Sequence, residues 1–65
     1  MEILTWQARN DKNISLPELE KLTGIGHSTL NNIENGKTIP TIIQLEAIAK
    51  ALNTRITALF ESEYK

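Results

Sequence analysis

Helix start and stop signals follow one another at such short intervals in this chain that only short helices fit between them. Ser15-Leu16-Pro17-Glu18 reads as a capping box with proline in the first turn, where its missing N–H has no intrahelical partner to lose. A helix therefore starts after Ser15. Leu16, Leu19 and Leu22 recur on one face of it, and Thr23-Gly24 ends it with a residue free to adopt positive φ. The helix over 16–22 is about two turns long. Gly26 then serves as an N-cap for a second helix over 27–34, whose inward side carries Leu30 and Ile33. Asn35-Gly36 stops that helix, and Pro40 keeps Ile39 out of helical geometry, which leaves a loop over 36–41.

Thr41-Ile42-Ile43-Gln44 repeats the capping-box logic and opens a longer helix. Leu45, Ile48, Ala49 and Leu52 trace its buried stripe, and Asn53 caps its end. A last short helix is expected around Ile56, Leu59 and Phe60, and a less regular first helix over 3–11 with Leu4 and Ala8 facing inward. Residues 61–65 read as a frayed tail, more a solubilising end than a docking peptide. The count is five helices. Trp6 lies off the Leu4/Ala8 stripe, so it either folds over the core edge or marks a partner surface; burial is the expectation for so large an aromatic.

At 65 residues the chain is at most one domain, and a domain of this size buries only about 60% of its unfolded surface, which leaves little room for an enclosed pocket. A composition 40% hydrophobic and 23% charged is that of a globular chain rather than a disordered one. The absence of cysteine excludes a disulfide framework, a thiolate nucleophile and any cysteine-ligated zinc site. No apolar run reaches the length of a membrane span or signal peptide, so a cytoplasmic location is expected. One histidine and scattered carboxylates give neither a nucleophile–base pair nor metal-ligand spacing, so no catalytic residue, cofactor or metal is expected. Ser28 beside His27 is not a dyad, since neighbouring helical side chains do not face each other.

The informative unit is the pair of helices over 16–22 and 27–34, joined by Thr23-Gly24-Ile25-Gly26. Two short helices with a tight glycine turn cross steeply, so one can span a DNA backbone while the other enters the major groove. The outer face of the second helix offers His27, Ser28, Thr29, Asn31 and Asn32, all able to donate or accept hydrogen bonds. Asparagine can pair with adenine N6 and N7 together. The bland alternatives are a solvated histidine and polar filler. Lys37, past the helix end, suits a phosphate but is equally natural as a cation favoured by the helix dipole.

The segment ISLPELEKLTGIGHSTLNNIENG, from Ile14 to Gly36, resembles the helix-turn-helix of the Xre type, the family of lambdoid phage repressors and Cro. The likeness extends through Lys37-Thr38 to LEAIAKAL and ITALF, covering about Arg9 to Phe60. It implies an all-α, five-helix lambda-repressor-like DNA-binding domain. It further implies that His27, Ser28 and Asn32 approach base edges with Asn31 beside them, that Ser15, Asn35, Lys37 and Thr38 touch phosphates, and that Arg9 pairs with Glu34. The implied partner is double-stranded DNA, a palindromic operator bound by a homodimer. Three positions depart from the pattern: Leu16 stands where a phosphate-binding glutamine is common, Glu20 where a small alanine is common, and Gly26 where serine or threonine usually caps. Phosphate anchoring then leans more on backbone N–H groups at helix N-termini.

Charge sets the competing reading. Seven Lys and Arg against eight Asp and Glu give a net charge of −1, whereas a DNA-binding domain is usually basic. With Leu16, this favours a protein-interaction module on the same scaffold, antitoxin-like, with little DNA affinity.

Overall fold

The computed structural model describes residues 1–65. In chain order it contains β1 (Glu2–Ile3), α1 (Thr5–Asp11), α2 (Leu16–Thr23), α3 (His27–Glu34), α4 (Ile42–Ala51), a 3₁₀ turn (Ile56–Ala58) and β2 (Phe60–Glu61). Both capping boxes form. Ser15 Oγ accepts from the Glu18 amide and Glu18 Oε1 accepts from the Ser15 amide, while Thr41 and Gln44 do the same at the start of α4.

The helix ends are equally local. Gly36, with φ +75°, closes α3: its amide donates to Ile33 O and that of Lys37 to Asn32 O, the paired bonds of a Schellman motif. Asn53 (φ 52°) does this for α4 and Asn13 (φ 56°) for α1. Asparagine tolerates the left-handed region better than other non-glycine residues, so both helices stop without glycine.

The core forms where α2, α3, α4 and the 3₁₀ turn meet. Leu19, Leu30, Leu45, Ile48, Ala49, Leu52 and Leu59 pack together, with Ala8, Ile14, Leu16, Ile25 and Ile56 around them. Full burial of each large apolar side chain contributes roughly 1.5–3 kcal/mol.

The five-helix expectation is corrected to four α-helices and a two-stranded antiparallel ribbon. Ile56, Leu59 and Phe60 fit the spacing of a helical turn, but only Ile56–Ala58 coils, as 3₁₀. Phe60 then pairs with Ile3 and Glu61 with Glu2, and the Leu4 amide donates to Leu59 O at 2.8 Å. One helical turn fixes several dihedrals for a single hydrogen bond, whereas pairing with the N-terminal strand satisfies both segments. The first helix accordingly begins at Thr5 rather than Ile3. The tail is folded back rather than frayed at its start: Glu61 is in the ribbon, and Lys65 Nζ donates to Thr57 O and Phe60 O.

Two apolar residues expected in the core are exposed, Leu22 against its helical periodicity and Trp6 against the usual burial of a large aromatic. Leu22 is 60% exposed because α2 ends one residue later and the core is already filled by Leu19. Trp6 is 53% exposed, outside the core.

Thr5 is buried at 1% exposure, and its hydroxyl has no hydrogen-bond partner within the protein. An unsatisfied buried hydroxyl costs about 1–3 kcal/mol. Thr5→Val keeps the shape and removes the polar atom, so it is expected to raise the unfolding free energy by about 1 kcal/mol in chemical denaturation. A lower stability would show that the hydroxyl is paired in solution.

Candidate nucleic-acid interface

The turn between α2 and α3 is set by two residues. Gly24 adopts φ +75°, which an L side chain resists, and its amide donates to Glu20 O. Thr23 Oγ1 donates to Leu19 O at 2.7 Å and accepts from the Ile25 amide at 3.1 Å, pinning the chain as it leaves α2. In the sequence, Thr23 stands out only as part of a stop signal with Gly24. A threonine directly before a turn glycine, able to bond backward four residues and forward two, is the signal for this clamp.

α3 leaves the turn with Gly26 as its N-cap and no side chain over its first amides. Leu30 and Ile33, at 1% and 0% exposure, fix which way the helix is rolled. The opposite face then carries Ser28, Asn31, Asn32 and Asn35 at helical spacing i, i+3, i+4 and i+7. Ser28, Asn31 and Asn35 are exposed and Asn32 half-buried. None of these four side chains is used in a hydrogen bond within the chain, so all of their donors and acceptors face outward uncommitted. Thr29 is half-buried to one side.

His27 stands at the start of the same helix, its side chain 66% exposed, with Nδ1 3.5 Å from Glu20 Oε1. Glu20 therefore reaches outward along α2 toward the tip of α3 instead of crowding the helix contact. The other ring nitrogen of His27 remains free.

Past the end of α3, Lys37 and Thr38 are exposed, and both amides are drawn to Asn32 O, at 2.9 and 3.3 Å. Their side chains thus leave the helix at a fixed point close to Asn35. Ser15 lies at the start of α2 with its hydroxyl donating to Glu18 Oε1 at 3.1 Å, so its donor is committed to the capping box.

One ion pair holds the far end of α3. Arg9 Nε donates to Glu34 Oε2 at 2.7 Å and its terminal nitrogen to Glu34 Oε1 at 3.1 Å, a two-pronged contact across 25 residues. Another guanidinium nitrogen donates to Ile14 O at 3.0 Å. The side chains are 12% and 4% exposed. Hydrogen bonding to Glu34 raises the Arg9 pKa above its ordinary value; burial opposes this, and the negative charge of Glu34 adds to it.

Residues 7–59 match the family described as Helix-turn-helix, the Xre/Cro-like group. No curated protein matches the chain.

Glu34→Ala leaves the Arg9 guanidinium largely buried without its carboxylate, so it is expected to lower stability by about 3–5 kcal/mol, whereas replacing both residues by methionine recovers much of the loss. Chemical denaturation of the three variants checks this. The pH dependence follows from the raised pKa of Arg9. Its contribution is fully present below the ordinary guanidinium range and is lost only as pH rises through the folded value. Neutral and mildly alkaline titration should therefore leave the Arg9 contribution unchanged.

Proposed function

The chain belongs to the Xre/Cro-like helix-turn-helix family, a family of DNA-binding regulators, and on that footing we propose that it is a cytoplasmic, sequence-specific transcriptional repressor that reads the major groove with α3. The observation that carries this reading is the uncommitted polar face of α3, set against a buried Leu30/Ile33 face that fixes its orientation.

On this reading, His27, Ser28, Asn31 and Asn32 contact base edges. Asparagine at two adjacent positions suits adenine, and the absence of arginine on α3 removes the usual bidentate grip on guanine. Asn35, Lys37 and Thr38 contact phosphates from the end of the helix, and Ser15 joins them by exchanging its bond to Glu18 for a phosphate oxygen. One module makes few contacts, while specific sites are typically bound at about 10⁻⁸ M or tighter. The reading therefore includes two copies on a palindromic operator.

A second reading, a protein-interaction module on this scaffold, is favoured by the net charge of −1 and by the exposure of Ile39, Ile42 and Ile43, each at two-thirds or more. Selection of the protein on a randomised duplex library, with the winner titrated at two salt concentrations, separates the two. Enrichment of a half-palindrome whose affinity falls with salt supports groove reading. No enrichment at micromolar protein sinks it in favour of the interaction module.

Within the first reading, Asn32→Ala is expected to relax preference at one base position, worth about 1–3 kcal/mol there. Lys37→Ala should weaken all sequences alike and lower the salt slope by about one. Indistinguishable affinity profiles for the two variants would refute this division of roles.

A further inference from the structure

His27 is the only histidine in the chain, and it opens α3, the helix whose outer face carries the uncommitted polar groups. Its Nδ1 stands 3.5 Å from Glu20 Oε1. The stretch between the two residues is held by the turn. Glu20 O accepts from the Gly24 amide at 2.8 Å, and Thr23 Oγ1 bonds back to Leu19 O and forward to the Ile25 amide. Carboxylate and ring are thus placed by the same bonds that set α2 against α3. No other carboxylate lies within ion-pair distance of the ring. The remaining charges on the elements packed against α3 are placed elsewhere. On α2, Glu18 is held by Ser15 and Lys21 is exposed. On α1, Arg9 is taken by Glu34 at the opposite end of α3, and Asp11 borders a shallow pocket with Lys12 and Thr54.

We propose that Glu20 is a positioning residue that selects which base His27 reads, an inference that rests on groove reading by α3. A neutral imidazole has one N–H and one lone pair, and the group beside one nitrogen decides what the other offers. A carboxylate at Nδ1 holds the proton there, because the opposite tautomer turns a lone pair toward the anion. Nε2, which has no partner in the chain, is then an acceptor. In the major groove the base donors are cytosine N4 and adenine N6, so a ring held this way takes cytosine or adenine and rejects guanine, which shows N7 and O6 acceptors. Entry into the groove removes water from the pair and lowers the local dielectric, which strengthens the hold of Glu20 on Nδ1.

Acid reverses the reading. Once the ring is protonated both nitrogens are donors, and Nε2 then suits guanine N7 or O6. One side chain therefore prefers opposite bases in its two charge states. Alanine, common in the family where Glu20 stands, would leave the neutral ring free to take either tautomer.

Two measurements on the full chain test this. The first needs no DNA: with a single histidine, the chemical shifts of the ring nitrogens at about pH 8 report which one is protonated. The wild type is expected to carry the proton on Nδ1. Glu20→Gln, whose amide can face the ring with either its oxygen or its nitrogen, is expected to give a mixture, with an unchanged circular dichroism melt because the pair is exposed. The second is selection from a randomised duplex library at about pH 8 and about pH 5, on either side of the range in which histidine titrates. At the higher pH the wild type should favour cytosine or adenine over guanine at one position by about two- to tenfold, the range of one net hydrogen bond, and at the lower pH it should favour guanine there. Glu20→Gln should flatten the first preference at that position alone, and should change nothing in a His27→Ala background, because it acts only through the ring. A wild-type ring protonated on Nε2 at the higher pH overturns the proposal. So does an effect of Glu20→Gln that survives His27→Ala, which would make Glu20 itself the reader. An enriched site whose base preference is the same at both pH values and in Glu20→Gln overturns this role of Glu20 and leaves groove reading standing, whereas no enriched site at either pH overturns both.

Discussion

The Arg9–Glu34 pair ties together parts of the chain that local structure leaves independent. α3 has eight residues, too few for a helix to persist in water on its own. Its position depends on what holds it at both ends. At the N-terminal end the hold is covalent and local, through Thr23, Gly24 and Gly26. At the C-terminal end the guanidinium of Arg9 grips Glu34 with two nitrogens and the carbonyl of Ile14 with a third. One side chain therefore locates α1, the connection into α2 and the end of α3 against each other. Desolvation offsets much of the attraction, so such a pair adds little net stability but penalises any arrangement that separates the partners.

The consequence reaches the outer surface. Because Glu34 is fixed, the following residues leave the helix from a fixed point: Asn35 ends it, Gly36 turns it, and the amides of Lys37 and Thr38 return to Asn32 O. The roll of the helix is set separately, by Leu30 against Leu19 and its neighbours in the core. Roll and end position together determine where the Ser28, Asn31, Asn32 and Asn35 side chains point. A polar face on a floating helix would lose entropy on ordering with every contact it made; on a helix clamped at both ends that cost has already been met in folding.

What the sequence made legible was punctuation. The capping boxes at Ser15 and Thr41, the glycines at 24 and 36 and the asparagine at 53 are short-range devices whose chemistry lies within four or five residues, and each forms in the structure. The misreadings came where a long-range partner decided. Ile56, Leu59 and Phe60 have helical spacing, but Ile3, more than fifty residues away in sequence, draws Phe60 into a ribbon that no local pattern announces. Leu22 continues the periodicity of Leu16 and Leu19, yet it ends on the rim of an open groove shared with Ala47, Lys50 and Ala51 of α4 and stays 60% exposed. The average burial of tryptophan says nothing about the particular face of α1 that Trp6 occupies, and there it is 53% exposed. For the candidate interface, periodicity could sort α3 into an apolar and a polar side, whereas a contact spanning the 25 residues from Arg9 to Glu34 has no local signal and entered only through the family resemblance.

The charge of the chain bears on how groove reading would work in it. Affinity for DNA of any sequence rises with the number of phosphates neutralised, and specificity is the margin by which correct bases exceed that background. With a net charge of −1 and Lys37 the one full positive charge in the segment from Gly24 to Thr41, groove reading in this chain would start from a low background. A weak background reduces loss of protein to the excess of non-specific sites, but it also leaves base contacts by neutral groups to supply more of the binding energy. On the proposed reading, His27, Ser28 and two asparagines would not do so from one copy, since each well-made base pairing discriminates by only about 1–3 kcal/mol. Doubling the recognition surface is the economical remedy, because linked copies add their binding free energies once the first is placed. On that reading, a chain whose net charge is negative has more need of a partner copy than a basic one of the same fold.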